Sequence, residues 1–155
     1  MILLAHMIFG AAIGSMTSNI PLALFGALAS HYFLDLFPHI EYLHSTENSV
    51  KKMQSKDIKK FLPDMARVLV DFSLGILVIF IFSSGQPILY LCALVAIIPD
   101  ALTVVTLLFP NKLLLFHHQF HTQKVHYLTK KKHFPVFWRI ITQVIIVIIS
   151  IAILR

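Results

Sequence analysis

Residues 64–109 read DMARVLVDFSLGILVIFIF, then SSGQP, then ILYLCALVAIIPDALTVVTLLF. Each flank is predominantly apolar over the length, about 17–25 residues, that a helix needs to cross a bilayer. The turn between them carries Gly and Pro and no charge. Backbone amides in hydrocarbon have no water to bond, so apolar runs of this length must be helices. The pattern recurs outward. Residues 134–154 (FPVFWRIITQVIIVIISIAIL) are rich in Ile and Val, and two shorter runs lie at 2–16 and 21–37. These two meet at Thr17-Ser18-Asn19-Ile20-Pro21, where Pro at a first helical position after Ser/Asn cap candidates restarts a helix. The first run is short for a full span, so a tight helical hairpin is the alternative to two crossings here. The expected fold class is all-α: an integral membrane helical bundle in one domain, with about five transmembrane helices over 2–16, 21–37, 64–82, 88–109 and 134–154. Pro99 inside the fourth predicts a kink.

Composition agrees. The chain of 155 residues is 57% hydrophobic with a mean hydropathy of +0.81, against roughly 45–50% apolar content in soluble domains. A soluble fold of this size cannot hide so much apolar surface. The net charge of +6 and pI near 9.6 would raise the question of nucleic acid in a soluble protein. Here the basic residues gather in two connecting segments, 38–63 and 110–133, as the positive-inside rule expects of cytoplasmic loops, and no nucleic-acid partner is expected. Within 38–63, Val50, Met53, Ile58, Phe61 and Leu62 approximate a stripe opposite Lys51, Lys52, Lys56, Lys59 and Lys60. That pattern fits an amphipathic interfacial helix and, equally, an irregular basic loop. Membrane lipids are the expected partner of both basic segments.

With both basic segments cytoplasmic, the uncharged turns at Ser18 and Ser84 lie on the far side, the N-terminus inside and the C-terminus outside. Of the 13 Lys and Arg residues only Arg155 then falls on the wrong side. The N-terminus lacks the basic n-region of a secretory signal and is read as a retained helix. The single cysteine, Cys92, excludes an internal disulfide or a CxxC zinc motif.

This topology assigns a depth to every polar residue. His6, His31, Asp35 and Asp100 come to a similar level near the cytoplasmic side, beside the segment with His117, His118 and His121, and Asp71 lies about two turns into its helix. An ionised group in hydrocarbon costs about 2.5–3.5 kcal/mol on insertion scales, so such groups face the bundle interior and need partners. Imidazole and carboxylate suit zinc, manganese or iron. His31 and Asp35 are spaced i,i+4 on one helix face, which His39 extends if the helix survives Pro38, and His117 and His121 repeat the spacing. Each residue has a plainer reading as well: His6 as an interfacial histidine, Asp71 as an ion-pair partner of Arg67, Asp100 as a cap after the kink, and His44, His126 and His133 as solvated. Jointly the pattern points to a divalent metal, zinc before manganese or iron, held by His6, His31, Asp35, Asp100, His117 and His121. Asp35 and Asp100 are also the candidate catalytic bases. Membership of Asp71 and His118 stays open.

The segments AHMIFGAAIGS, SHYFLDLFPHIEY, IIPDAL and FHHQFHTQ resemble a family of small bacterial inner-membrane proteins, the membrane-bound metal-dependent hydrolases, distantly similar in motif pattern to zinc-dependent phospholipase C. The resemblance covers most of the chain except the last helix. It implies a cytoplasmic-membrane location, a metal site built from His6, His31, Asp35, Asp100 and the His117–His121 cluster, and hydrolysis of a phosphoester or similar bond. Related chains often carry PDxDH and HRxxTHS, whereas here Asp100 is followed by Ala-Leu-Thr and the later motif is HHQFHT. The expected activity is hydrolysis of a lipidic or phosphorylated small molecule at the cytoplasmic face. The rivals are a non-catalytic, metal-stabilised scaffold or lipid-binding protein, an ion- or proton-linked transporter, and more remotely a bis-histidine haem protein. Oligomeric state has no signature in the sequence.

Overall fold

The computed structural model describes residues 2–40, 58–83, 85–109, 111–125 and 134–155. Residues 50–57 of the proposed lysine-faced stripe, together with His44, His126 and His133, lie outside them, and its remaining positions, Ile58 to Leu62, open the long helix that continues to Phe82. Among the described residues every regular element is helical: α1 (Leu3–Ser15), α2 (Ile20–Asp35), α3 (Ile58–Phe82), α4 (Pro87–Ala96), α5 (Ile98–Leu108), α6 (Lys112–Gln119), a π-helical turn (Phe120–Val125) and α7 (Val136–Leu154).

The short α1 is the centre of the bundle and packs against α2, α3, α4 and α7. Small residues allow this. A side chain at Gly14 would bring its Cβ within 2.6 Å of Cys92 Sγ, and one at Gly10 would run into Ala96. Gly10 and Gly14 therefore form a G-x-x-x-G face on which α4 lies backbone to backbone, a packing that needs no hydrophobic drive. Met7, Ile8, Ile79 and Leu89 fill the space to either side.

Two helical segments, Met65–Phe82 and Val136–Leu154, are long and apolar enough to cross a membrane, and α4 with α5 makes a third if the bent pair is one span. The long helices turn Leu69, Phe80, Phe137 and Ile148 outward, each more than half exposed. Apolar surface of that extent marks contact with lipid or a partner rather than water. Helices α1 and α2, of 13 and 16 residues, are apolar but shorter.

Local chemistry sets several boundaries. Asn19 caps α2 by accepting from Leu22 N at 3.1 Å, with Pro21 in the first turn. Helix α3 begins at Ile58 rather than at residue 64 and carries Pro63 within it; so close to the start, the ring removes one intrahelical bond and the helix survives. Pro99 breaks the α4–α5 rod at Ile97, two residues ahead of the ring, with a bend of 41°. The N-cap of α1, Ile2, has no capping side chain. Asp71 on α3 supplies one across the bundle, accepting from the first-turn amides of Leu4, at 3.1 Å, and Leu3. That contact gives Asp71 a structural task.

Candidate metal centre

Three elements deliver the site. The last two turns of α2 carry His31 and Asp35, both buried. The bend at Ile97 places Asp100 in the first turn of α5, where the amide end of the helix favours a carboxylate. Helix α6 folds back along α5: Asn111 caps it by accepting from Leu114 N at 2.9 Å, and Thr106 Oγ donates to Leu102 O at 2.7 Å and approaches Leu114 O at 3.3 Å. The π-helical turn that follows carries His121 inward, fully buried. Such turns recur at functional sites because they re-aim one side chain without ending the helix.

His31, Asp35, Asp100 and His121 offer ligand atoms that all lie within 4.8 Å of one another. His31 Nε2 is 3.2 Å from Asp35 Oδ2, His121 Nε2 is 3.1 Å from the same oxygen, and the two nitrogens are 3.1 Å apart. Ligands held about 2.0–2.1 Å from a tetrahedral ion stand about 3.3–3.4 Å from one another, so this near-equilateral triangle is one face of such a shell. Asp100 Oδ1 stands 3.7 Å from His31 Nε2 and its side chain is 25% exposed, against none for the other partner.

The chemistry of the donors fits a cation better than a hydrogen-bond network. His31 Nδ1 is 2.7 Å from Ala96 O, and a carbonyl only accepts, so Nδ1 carries the proton. With its proton on Nδ1, the ring turns the Nε2 lone pair towards the Asp35 carboxylate, an arrangement that a cation between them would satisfy. A ligating histidine whose other nitrogen donates to a backbone carbonyl is the usual support around a metal. The bend explains why that carbonyl is there: Pro99 has no N–H for Val95 O four residues back, the helix breaks at Ile97, and Ala96 O, a last-turn carbonyl of α4, turns to another donor. His117, in the last turn of α6, and His121, in the π-helical turn after it, are held below the ordinary histidine range chiefly by burial, which favours the neutral, ligating form.

Of the six residues expected as ligands, His31, Asp35, Asp100 and His121 form the group. His6 reaches it from α1, fully buried, with Nε2 3.2 Å from Asp35 Oδ1 and its ring stacked on His31 at 4.0 Å. His117 stands beside it, its ring stacked on His121 and its Nε2 3.1 Å from Tyr32 OH. Asp71 and His118 are outside the group. His39 reaches Asp35 although α2 stops at Asp35: its Nε2 is 3.6 Å from Oδ1, and Nδ1 donates to Phe37 O at 2.6 Å. The 31/35/39 spacing was its signal. Tyr32 had none. No family model, curated protein or solved structure matches the chain.

Proposed function

We propose that the chain is an integral inner-membrane, metal-dependent hydrolase acting on a phosphoester or lipid-linked substrate at the cytoplasmic face. The observation that carries this is the His31–Asp35–His121 triangle, in which three lone-pair donors stand 3.1–3.2 Å apart around a common point. In the proposed topology α1 and α2 form a short hairpin, α3, the bent α4–α5 pair and α7 cross, and the N-terminus is inside with the C-terminus outside. The expected ion is zinc, with manganese or iron as alternatives, and it would lower the pKa of water and polarise a phosphoryl oxygen. Asp35, His31 and His121 hold the ion. Asp100, on the exposed side, accepts the proton of the attacking water. A tailed substrate is supported by an apolar cavity of about 320 Å³ between α1, α2 and α7, lined by Phe9, Phe33, Phe37, Trp138, Ile145 and Ile149.

One observation favours a second reading. If Asp100 closes in as a fourth ligand, every position is filled by protein, which is the mark of a structural site, and the protein is a scaffold. Metal content by mass spectrometry on detergent-purified protein, compared with a His31→Ala/Asp35→Ala variant that still folds, tests the site; no metal in the parent protein after reconstitution would sink the hydrolase. Asp100→Asn then separates the two readings. As a base, its loss lowers turnover of phospholipid or prenyl-phosphate substrates by about 10²–10⁴-fold with the metal retained; as a structural ligand, its loss releases the metal.

A further inference from the structure

Asp35 receives imidazoles on both of its oxygens. On Oδ2 stand His31 and His121, at 3.2 and 3.1 Å. On Oδ1 stand His6, at 3.2 Å, and His39, at 3.6 Å, both fully buried. The second pair has the chemistry of the first. His39 Nδ1 donates its proton to Phe37 O, so the neutral ring turns a lone pair at Nε2 towards Oδ1. The distance of 3.6 Å is too long for a hydrogen bond but suits two ligands of one ion. His6 approaches to 3.2 Å, yet neither of its ring nitrogens makes a well-formed hydrogen bond. Buried polar atoms in a native protein are almost always satisfied, which leaves His6 Nε2 in want of a partner at this point.

The stacking of His6 on His31 sets the scale. Their ring centroids are 4.0 Å apart with 23° between the planes, and the two rings face different oxygens of one carboxylate. Ions lying in the planes of two such rings would stand no closer than about that ring spacing, which is compatible with the 3.5–4 Å of two-metal hydrolytic sites. We propose that the chain binds a second divalent cation at Asp35 Oδ1, His6 and His39, so that Asp35 bridges two ions. The inference rests on the His31–Asp35–His121 centre being a metal site, and assigns His6 and His39 to a different ion from the one held there. In the competing arrangement His6 and His39 are protonated and only orient Asp35.

The test uses full-length protein in detergent, stripped with chelator and reloaded with Mn²⁺, read by metal-to-protein ratio and by electron paramagnetic resonance. About two equivalents and an exchange-coupled spectrum are expected from the parent chain. The His6→Gln/His39→Gln variant should keep about one equivalent, with the spectrum of an isolated ion. One equivalent in the parent, with an isolated-ion spectrum that the variant does not change, would overturn the second site and leave the first standing. No bound metal in the parent would overturn both. If the variant fails to fold, the parent spectrum decides the matter alone, and His6→Ala/His39→Ala gives a second count of the ions.

Discussion

Asp35 stands at the end of α2 with four histidines within 3.6 Å of its carboxylate oxygens, and Asp71 stands one helix away with two backbone amides and no part in that cluster. Charge, depth and residue type make the two look alike in sequence; only the partners tell them apart. Asp71→Ala should therefore cost about 1 kcal/mol, the usual worth of a lost helix cap, seen as a lower thermal midpoint in detergent, while metal content stays at the parent level. Loss of metal in that variant would move Asp71 into the site. His31 and Asp35 were legible because four-residue spacing on a helix fixes a shared face whatever surrounds it. His39 was conditional, since Pro38 ends the helical register and the side chain arrives through an irregular turn. The tie between Tyr32 and His117 spans 85 residues and left no periodic trace.

At the scale of elements, Pro99 is the informative position. A kink there was legible because proline cannot complete the helical ladder. Its location at Ile97, and the carbonyl of Ala96 that it turns towards His31, depend on the helix packed alongside. Pro99→Ala restores the N–H that Val95 O lacks and lets the rod straighten, so that Ala96 O can return to the Asp100 N–H and away from His31. Metal affinity should fall about 10–100-fold, as when a ligand's supporting hydrogen bond is removed, although no ligand has been touched; competition with a fluorescent chelator measures it. Unchanged affinity would mean that the bend does not support His31. The start of α3 at Ile58 and the π-helical turn under His121 were not legible, because a proline near a helix start and a one-residue widening of a helix barely alter the apolar pattern. Nor was the close packing of Gly10 and Gly14 on α4 read from the chain, because small residues show no hydrophobic period.

For the whole molecule the all-α class followed from composition and run length, and two helices meet the length and apolarity that a crossing requires. The number of crossings turns on α1 and α2, which fall short of a full bilayer. The proposed topology places residue 155 outside and residue 130 inside. In a Cys92→Ala background, Arg155→Cys should react with a membrane-impermeant maleimide on intact cells and Lys130→Cys only after lysis; the reverse pattern would invert the orientation. His31 and Asp35 are neighbours on one helix, but His121 lies 86 residues beyond Asp35, and that interval has a consequence for biosynthesis. While the ribosome is still adding α3 to α5, half of the Oδ2 pair of Asp35 has yet to be made. Until the segment after α6 emerges, the Asp35 carboxylate has only His6, His31 and His39 to draw on. The Oδ2 pair can close only once residue 121 has been made, so a chain cut short before it keeps three of the four histidines of Asp35 and lacks the one that completes the triangle.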